Sequence, residues 1–547
     1  MIVLGINAVF HDSSAALVVD GETICAAEEE RFNRRKHAKE CLPFTTWELP
    51  VQSAAWCLKR GGIPANAVDV VAYSYDPKLA QQPNGDLAAN EWEGLRTLYA
   101  SRMPRFLTSA FPGIERARTE FVPHHVAHAA SAYLAAPFGD CAVLVSDGRG
   151  ERSSYLAGKA RNGNLTILAT QPLPHSLGLV YEELTMHLGF HRSSDEYKVM
   201  GLAAYGKPRF LDAFRERITV QDGCFETRDI NFAQFAPARP SDGEFAPEHA
   251  DLAASVQTRL EEVLLVLGCW IHAQTRDRYL AMAGGVALNC VANARLAREG
   301  PFEQVWVQPA AGDAGTSLGA ALFAAHATGD TIRPIGTAAL GRDWSADDLR
   351  SHLERTHVEY ETPVDVAAAV ARIIADDGVV GWFQGRSEYG PRALGHRSLL
   401  ANPKYPENLE RLNAIKGREQ FRPVAPMVLE ERAAEIFEGQ LPSPYMLFTH
   451  RVKPEWKERI AAAVHVDGTA RVQTVSRHDE PLVARMLREF ERLTGIPVVI
   501  NTSFNTAGRP MVDDPRDALE CFGSTPIDAL AIGPFLLRRA GVFARAR

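Results

Sequence analysis

No CxxC pair occurs in the 547-residue sequence. Its eight cysteines, Cys25, Cys41, Cys57, Cys141, Cys224, Cys269, Cys290 and Cys521, stand apart from one another. That excludes a cysteine zinc finger, and in a chain this long it points to free thiols in a reducing cytoplasm rather than a disulfide frame. Nor does any apolar run approach the roughly 18 residues of a membrane span. The apolar start, MIVLGINAVFHDSSAALVVDG, lacks a basic n-region and is interrupted by His11 and Asp12. It reads as strand, turn and strand, not as a signal peptide. Basic excess is missing as well: 59 Lys and Arg face 67 Asp and Glu, for a net charge of −8. Phosphate contacts need cations, so a dedicated binder of nucleic acid or anionic membrane is disfavoured. What is present is ordinary globular composition, 46% hydrophobic and 23% charged. At roughly 100–200 residues per domain, the length calls for at least two domains.

Two segments share one design. Ile2–Ile6 is apolar and β-prone, followed by a polar turn over 7–14 and a second strand, Ala15–Val19. Ala142–Val145 leads into Asp147-Gly148-Arg149-Gly150 and then Ser154–Leu156. Hairpins with acidic or Gly-rich tips let backbone N–H groups approach a phosphate. Tandem copies predict a duplicated α/β core. Tyr279–Ala283, Gly284-Gly285 and the helical pattern Val286–Ala297 form a strand–glycine–helix corner of the kind that contacts nucleotides, or a plain βα turn. His124–Ala136 and Leu252–Ala273 read as helices. Lys207–Glu248, with its prolines and scattered Phe225, Phe232, Phe235 and Phe245, reads as an irregular insertion, and Thr328–Ser345 as a linker. A second domain then carries the amphipathic helix Val364–Asp376, the strand Val379–Phe383, a Gly- and Arg-rich loop over Gly385–Leu400, the strand Pro497–Asn501 and a polar loop to Pro510. The expected boundaries are 1–340 and 341–547.

The sharpest local signal is His124-His125-Val126-Ala127-His128. On a helix, residues four apart share a face, so His124 and His128 can chelate one metal while His125 points elsewhere. Asp147 at a strand end and Asp313 in a loop entering a helix complete a set of two imidazoles and two carboxylates, suited to iron(II), manganese or zinc. His11 at the first hairpin tip is a candidate general base, or a surface turn histidine. In the charged run Glu28–Lys39, Lys36 or His37 reaches a phosphate unless the run is a solvated face. Lys198 either sits beside a phosphate or belongs to a closely packed helix. The second domain concentrates Arg386, Arg392, Arg397, Lys416, Arg418 and Arg422 in Gly-rich loops, with Asn501, Thr502, Ser503 and Asn505 as neutral donors. Guanidinium forks fit phosphate oxygens, so this set predicts nucleotide or phosphometabolite binding.

In order along the chain stand GINAVFHDSSAAL, EEERFNRRKH, HHVAHAASAY, SDGRGE, EYKVMGLAAYG, AGGVALN, GDAGTSLGAA, GRSEYGPRALGHRSL, KGREQFRPVAP and NTSFN. Together they resemble the O-carbamoyltransferase family of nodulation-factor and antibiotic biosynthesis, over nearly the whole length. The resemblance implies an N-terminal module with the duplicated actin/sugar-kinase/heat-shock ATPase fold and a C-terminal YrdC-like α/β module. It implies that His124, His128, Asp147 and Asp313 hold iron(II), that His11 is the catalytic base, and that Lys36 lies near a carbamoyl adenylate. Gly148, Gly284, Gly285 and Asn289 would contact nucleotide in the first module. Arg392, Lys416, Arg418, Arg422, Asn501, Thr502 and Ser503 would bind carbamoyl phosphate and ATP with magnesium in the second.

The implied activity is ATP-dependent. Carbamate from carbamoyl phosphate attacks the ATP α-phosphate, and the carbamoyl adenylate then gives its carbamoyl group to a hydroxyl of a small molecule. Sugar, aminoglycoside, β-lactam and polyketide acceptors all stay open, as does a homodimer. A tRNA-modifying enzyme built of the same modules is disfavoured by the acidic charge. A hydrogenase-maturation carbamoyl transferase would carry CxxC fingers. A non-catalytic nucleotide-binding scaffold would have no need of His11 with the four metal ligands.

Overall fold

The computed structural model describes residues 1–38, 49–80 and 91–539, without the side chains of 91–93. Lys39 and Cys41 lie outside the described residues, and the other seven cysteines are free thiols. The chain forms two compact units, Met1–Gly336 and Thr337–Arg547.

In the first unit, β1 (Ile2–Asn7), β2 (Ser14–Val19), β3 (Glu22–Glu28), β4 (Val70–Tyr73) and β5 (Arg118–Phe121) make a sheet of order β3-β2-β1-β4-β5. Next come β6 (Cys141–Ser146), β7 (Ser153–Arg161) and β8 (Asn164–Pro172), then a separate hairpin of β9 (Ile218–Gln221) and β10 (Cys224–Thr227), then β11 (Tyr279–Ala283) and β12 (Gln304–Val307). Without the hairpin, these form a sheet of order β12-β11-β6-β7-β8. In each sheet the first three strands run antiparallel, and the last two join the first in parallel. The same topology twice is the duplicated α/β core that the tandem hairpins predicted. β1, β6 and β11 are buried almost throughout, as strands covered on both faces are.

Two helices, His124–Tyr133 and Ala314–Ala327, are packed together in this unit. Small residues set their separation. A Cβ on Gly319 would lie 1.8 Å from the Ala127 carbonyl oxygen, and one on Gly5 of β1 would lie 1.9 Å from that of Ser317. The first helix carries two of the candidate ligands and the second begins just after Asp313, so backbone proximity here fixes the distance between them.

The segment Lys207–Glu248 corrects the expectation of irregularity. It holds the helix Leu211–Arg217 and the β9–β10 hairpin, which turns at Asp222-Gly223 with both residues at positive φ. An Asp-Gly turn of that kind is a hairpin signal. Phe214, Phe225 and Phe232 are buried. Lys207 N–H donates to Asp251 (2.7 Å) and Phe210 N–H to Ser255 (3.1 Å), tying the segment to the helix Pro247–Thr275.

The second unit is built on a mixed sheet of β13 (Val380–Phe383), β14 (Arg397–Ala401) and β15 (Ala425–Leu429), with β19 (Gln473–Val475), β20 (Val498–Ser503), β21 (Ala529–Ile532) and β22 (Phe535–Arg538); a small ribbon of β16 (Phe437–Glu438), β17 (His450–Val452) and β18 (Thr469–Ala470) intervenes in sequence. The strand order is β19-β15-β20-β14-β13-β21-β22. The helices Val366–Ala375 and Pro481–Thr494 share one apolar core with Trp382, Met427 and Phe490; Phe504, Phe522 and Phe535 belong to another. The class is mixed α/β, as expected. Two boundaries differ from the sequence reading. The supposed loop to Leu400 becomes β14 at Arg397, and β20 runs on to Ser503, because Ser398 pairs with Ser503 and Leu399 with Thr502 across the ladder.

Gly319→Ala should lower the midpoint of thermal unfolding. Added helix propensity gains about 1 kcal/mol, but the buried clash costs about 1–3 kcal/mol or more. Gly94→Ala, in the helix Glu91–Ala110 with no described atom within 4 Å of the new methyl, keeps only the gain and should raise it. Scanning calorimetry on both variants checks this; a higher midpoint for Gly319→Ala would contradict the close approach.

Candidate functional site

His124 opens its helix directly after Pro123, and its N–H donates to Glu151 Oε1 at 2.9 Å. The same oxygen accepts from Asp76 N–H at 2.8 Å. His124 Nδ1 lies 3.2 Å from the Ser74 carbonyl oxygen. A carbonyl only accepts, so Nδ1 carries the proton and Nε2 presents a lone pair. That Nε2 lies 3.5 Å from Asp147 Oδ2 and 3.6 Å from Asp313 Oδ1, and His128 Nε2 lies 3.7 and 3.5 Å from the same two oxygens. One ligand atom from each of the four residues falls within 4.8 Å of all the others.

Both imidazole Nε2 atoms and both Asp313 oxygens are buried without a hydrogen-bond partner. Burying such groups unsatisfied is costly. A metal ion about 2.1 Å from each of four tetrahedral ligands would set them about 3.4 Å apart, close to the separations here. The residues therefore fit the group. Without an ion, the electrostatics express the same need. Burial pushes His124 down, but the charges of Asp313 and Asp147 outweigh it and hold the imidazole well above its usual range. Burial likewise raises Asp147, and the facing imidazoles of His124, His125 and His128 overcome it, holding the carboxyl well below its usual range.

His125 does not point away, as helical spacing suggested. The tip after β6 wraps over the helix start, so His125 Nε2 lies 3.8 Å from Asp147 Oδ2 while Nδ1 meets Ser153 Oγ at 2.8 Å. Burial brings this imidazole down to about 4, which leaves it neutral.

The glycine corner supports the ligand set directly. Gly284 has φ +94°, and a Cβ there would lie 2.2 Å from the Ser146 carbonyl oxygen. Gly285 N–H donates to Asp147 Oδ1 at 2.9 Å. Gly148 is pinned by Ser176, the N-cap of the helix Leu177–His187, whose Oγ donates to the Gly148 carbonyl oxygen at 2.7 Å. The helical pattern expected from Val286 is broken at Asn289. That side chain caps the helix Cys290–Glu299 by accepting from Ala292 N–H at 3.1 Å, and exchanges hydrogen bonds with Gln257.

His11, at the tip between β1 and β2, reaches the same place. Its Nε2 is 3.7 Å from Asp313 Oδ2, and its Nδ1 is 2.9 Å from Asp12 Oδ2. Asp12 Oδ1 accepts from His37 Nδ1 at 2.7 Å. Buried Asn7 donates to the carbonyl oxygens of His11 (3.0 Å) and Asp12 (3.1 Å) and accepts from Ser74 (3.1 Å). Sequence reading missed Asn7, Ser74 and Glu151. Their only signal is position: Asn7 ends β1 at the turn, and Glu151 closes SDGRGE. Lys36 Nζ stands over the Tyr197 ring at 5.8 Å. Lys198 pairs with Asp195 at 3.1 Å and lies over the Phe190 ring.

In the second unit, Lys416 ends the helix Glu407–Lys416 and is only 4% exposed. Its ammonium donates to Ser503 Oγ (3.0 Å), to Asn505 Oδ1 (2.6 Å) and to both backbone carbonyl oxygens. Arg418 donates to Asn413 (2.6 Å), Asn413 to the Arg422 carbonyl oxygen (3.0 Å), and Arg422 lies 3.5 Å from Glu419. Asn501, two residues before Ser503 on the same face of β20, donates to the Ala393 carbonyl oxygen (3.0 Å), beside Arg392, and to Gln473 (2.7 Å). Thr502 falls on the opposite face. Two members leave the basic set. Arg397, fully buried, donates to the carbonyls of Gln384, Gly385 and Arg342 and lies over Phe383. Arg386 donates to those of Gly341 and Leu340. Both guanidinium groups hold loops together.

Residues 2–322 match the carbamoyltransferase N-terminus family model, and residues 371–539 match the carbamoyltransferase C-terminus. An uncharacterized protein of Synechocystis, sll1178, is 36% identical, with 98% of this chain and 96% of that protein covered. Nodulation protein NolNO of Sinorhizobium fredii is 37% identical over 97% of this chain and 80% of its own length. Nodulation protein U of the same species is 33% identical over 91% and 93%. The resemblance to the crystal structure of T. kodakarensis HypF is distant: 14% identity, 61% and 48% coverage, and a TM-score of 0.33. Matched along both units and by relatives of nearly its full length, the chain belongs to the carbamoyltransferase family and is a carbamoyltransferase enzyme.

Proposed function

We propose that this carbamoyltransferase is ATP-dependent and transfers the carbamoyl group to a hydroxyl of a small-molecule acceptor. The observation that carries this reading is the buried quartet His124, His128, Asp147 and Asp313 with His11 beside it. Iron(II), or zinc or manganese, held by the four would supply Lewis-acid polarisation of a carbonyl.

The rest of the chemistry is divided between the units. In the second, Arg392, Lys416, Arg418 and Arg422 bind the phosphates of carbamoyl phosphate and ATP, with Ser503 fixing the Lys416 ammonium. Water cleaves carbamoyl phosphate to carbamate and phosphate. A carbamate oxygen attacks the ATP α-phosphate, and pyrophosphate leaves from a carbamoyl adenylate. That anhydride is water-labile, so making and using it within one chain limits its loss. In the first unit, Lys36 faces the adenylate phosphate. His11 Nε2 takes the proton of the acceptor hydroxyl as its oxygen attacks the carbamoyl carbon, and AMP departs with the electrons of the broken C–O bond.

Four outcomes follow. Incubation with ATP, carbamoyl phosphate and a panel of hydroxylated acceptors should release pyrophosphate only when carbamoyl phosphate is present, and mass spectrometry should find one acceptor heavier by a carbamoyl group. Asp147→Ala and Asp313→Ala should each lose metal affinity by more than the roughly 10–100-fold that removing an outer-shell partner costs, read by elemental analysis after dialysis; full occupancy in either would count against the ligand set. His11→Asn should cut carbamoylated product by about 10²–10⁴-fold while still releasing pyrophosphate. Lys416→Ala should lose pyrophosphate release yet transfer from supplied carbamoyl adenylate. Normal product formation by His11→Asn would remove the base.

A further inference from the structure

The tip that carries His11 holds more than a base. We propose that Asp12 is a positioning residue that fixes the tautomer and aim of His11, and that His37 holds Asp12 in place. The inference rests on the reading of His11 as the proton acceptor, and deepens it.

Each Asp12 oxygen meets one ring nitrogen: Oδ2 meets His11 Nδ1 at 2.9 Å, and Oδ1 meets His37 Nδ1 at 2.7 Å. A carboxylate is acceptor-only, so both nitrogens carry protons. In neutral His11 the lone pair is thereby assigned to Nε2, the atom 3.7 Å from Asp313 Oδ2 and turned toward the quartet. The other tautomer would put an N–H there, which cannot accept a proton.

The carboxylate is not needed to hold the turn. Asn7 already donates to the carbonyl oxygens of residues 11 and 12, and Asp12 N–H donates to the His37 carbonyl oxygen at 3.3 Å. The backbone is nevertheless left-handed at both Asp12 (φ +51°) and His37 (φ +60°). Such conformations are uncommon outside glycine, and here they bring the two side chains face to face. His37 is itself fixed, its N–H donating to Glu30 Oε2 at 2.7 Å. A His37–Asp12–His11 line thus runs into the quartet through Asp313. The side chains of His11, Asp12 and His37 are 22–23% exposed, so the line lies at the edge of the interior, where a substrate hydroxyl can arrive.

The test is nitrogen NMR of the full-length chain, selectively ¹⁵N-labelled at histidine and with zinc added, His11 being assigned by its absence from His11→Asn. His11 in the unsubstituted chain should show a protonated Nδ1 and a bare Nε2. Asp12→Ala should lose that signature, and Asp12→Glu should restore part of it. A bare Nδ1 in the unsubstituted chain overturns the proposal without reliance on any variant's folding, as does an unchanged His11 spectrum in Asp12→Ala. The base reading fails separately, by normal carbamoylation in His11→Asn, whatever the tautomer.

Discussion

Asp147 and Asp313 stand inside the first unit, 4% and 1% exposed, with histidines as their ion-pair partners. Removing a carboxylate from water costs several kcal/mol even after relaxation, so two of them facing one another demand positive charge between them. Much of the first unit's local construction serves that demand. His124 is turned by Ser74, Asp147 is held by Gly285, and two helices are brought into backbone contact through Gly319 so that the four ligands converge. The polar centre is affordable because the strands around it are apolar on both faces.

Duplication supplies the geometry. Each copy of the five-stranded unit ends its first strand at a hairpin tip, and the two tips bring unlike chemistry to one place: His11 from the first, Asp147 from the second. The two tips of the repeat thus carry different residue types, an imidazole four residues past the end of β1 and a carboxylate directly after β6. The third carrier, the helix preceding β6, belongs to the crossover that links the two copies.

Sequence reading recovered what depends on local spacing. The i, i+4 histidines, the strand-end Asp147, the Asp313 loop and the tandem hairpins all follow from short-range pattern. It failed where partners come from far along the chain. Asn7 binds Ser74 across 67 residues, and Glu151 caps the histidine helix from 27 residues away. His125 was misplaced because helical periodicity describes directions around an axis, not which loop folds over the helix end. Arg386 and Arg397 looked like phosphate ligands because their residue type and loop composition match that role; only the folded loop reveals that backbone carbonyls surround them. The Phe-rich insertion carried a legible Asp-Gly turn, but its aromatic residues have no helical or strand period, since ring partners such as Tyr155 for Phe225, His187 for Phe232 and Phe190 for Phe245 lie far earlier in the chain.

The Gly285 N–H that grips Asp147 has a consequence for how the first unit responds to ligands. The corner at residues 284–289 and the quartet share one hydrogen bond, made to Asp147 Oδ1 while Oδ2 faces the imidazoles, so a displacement of the corner would shift that carboxylate as a whole. Were both places to hold ligands, the shared bond would link their occupancy, and reciprocity would require each to change the other's affinity by the same factor. The point of coupling would be a backbone amide, which a change of side chain alone does not delete.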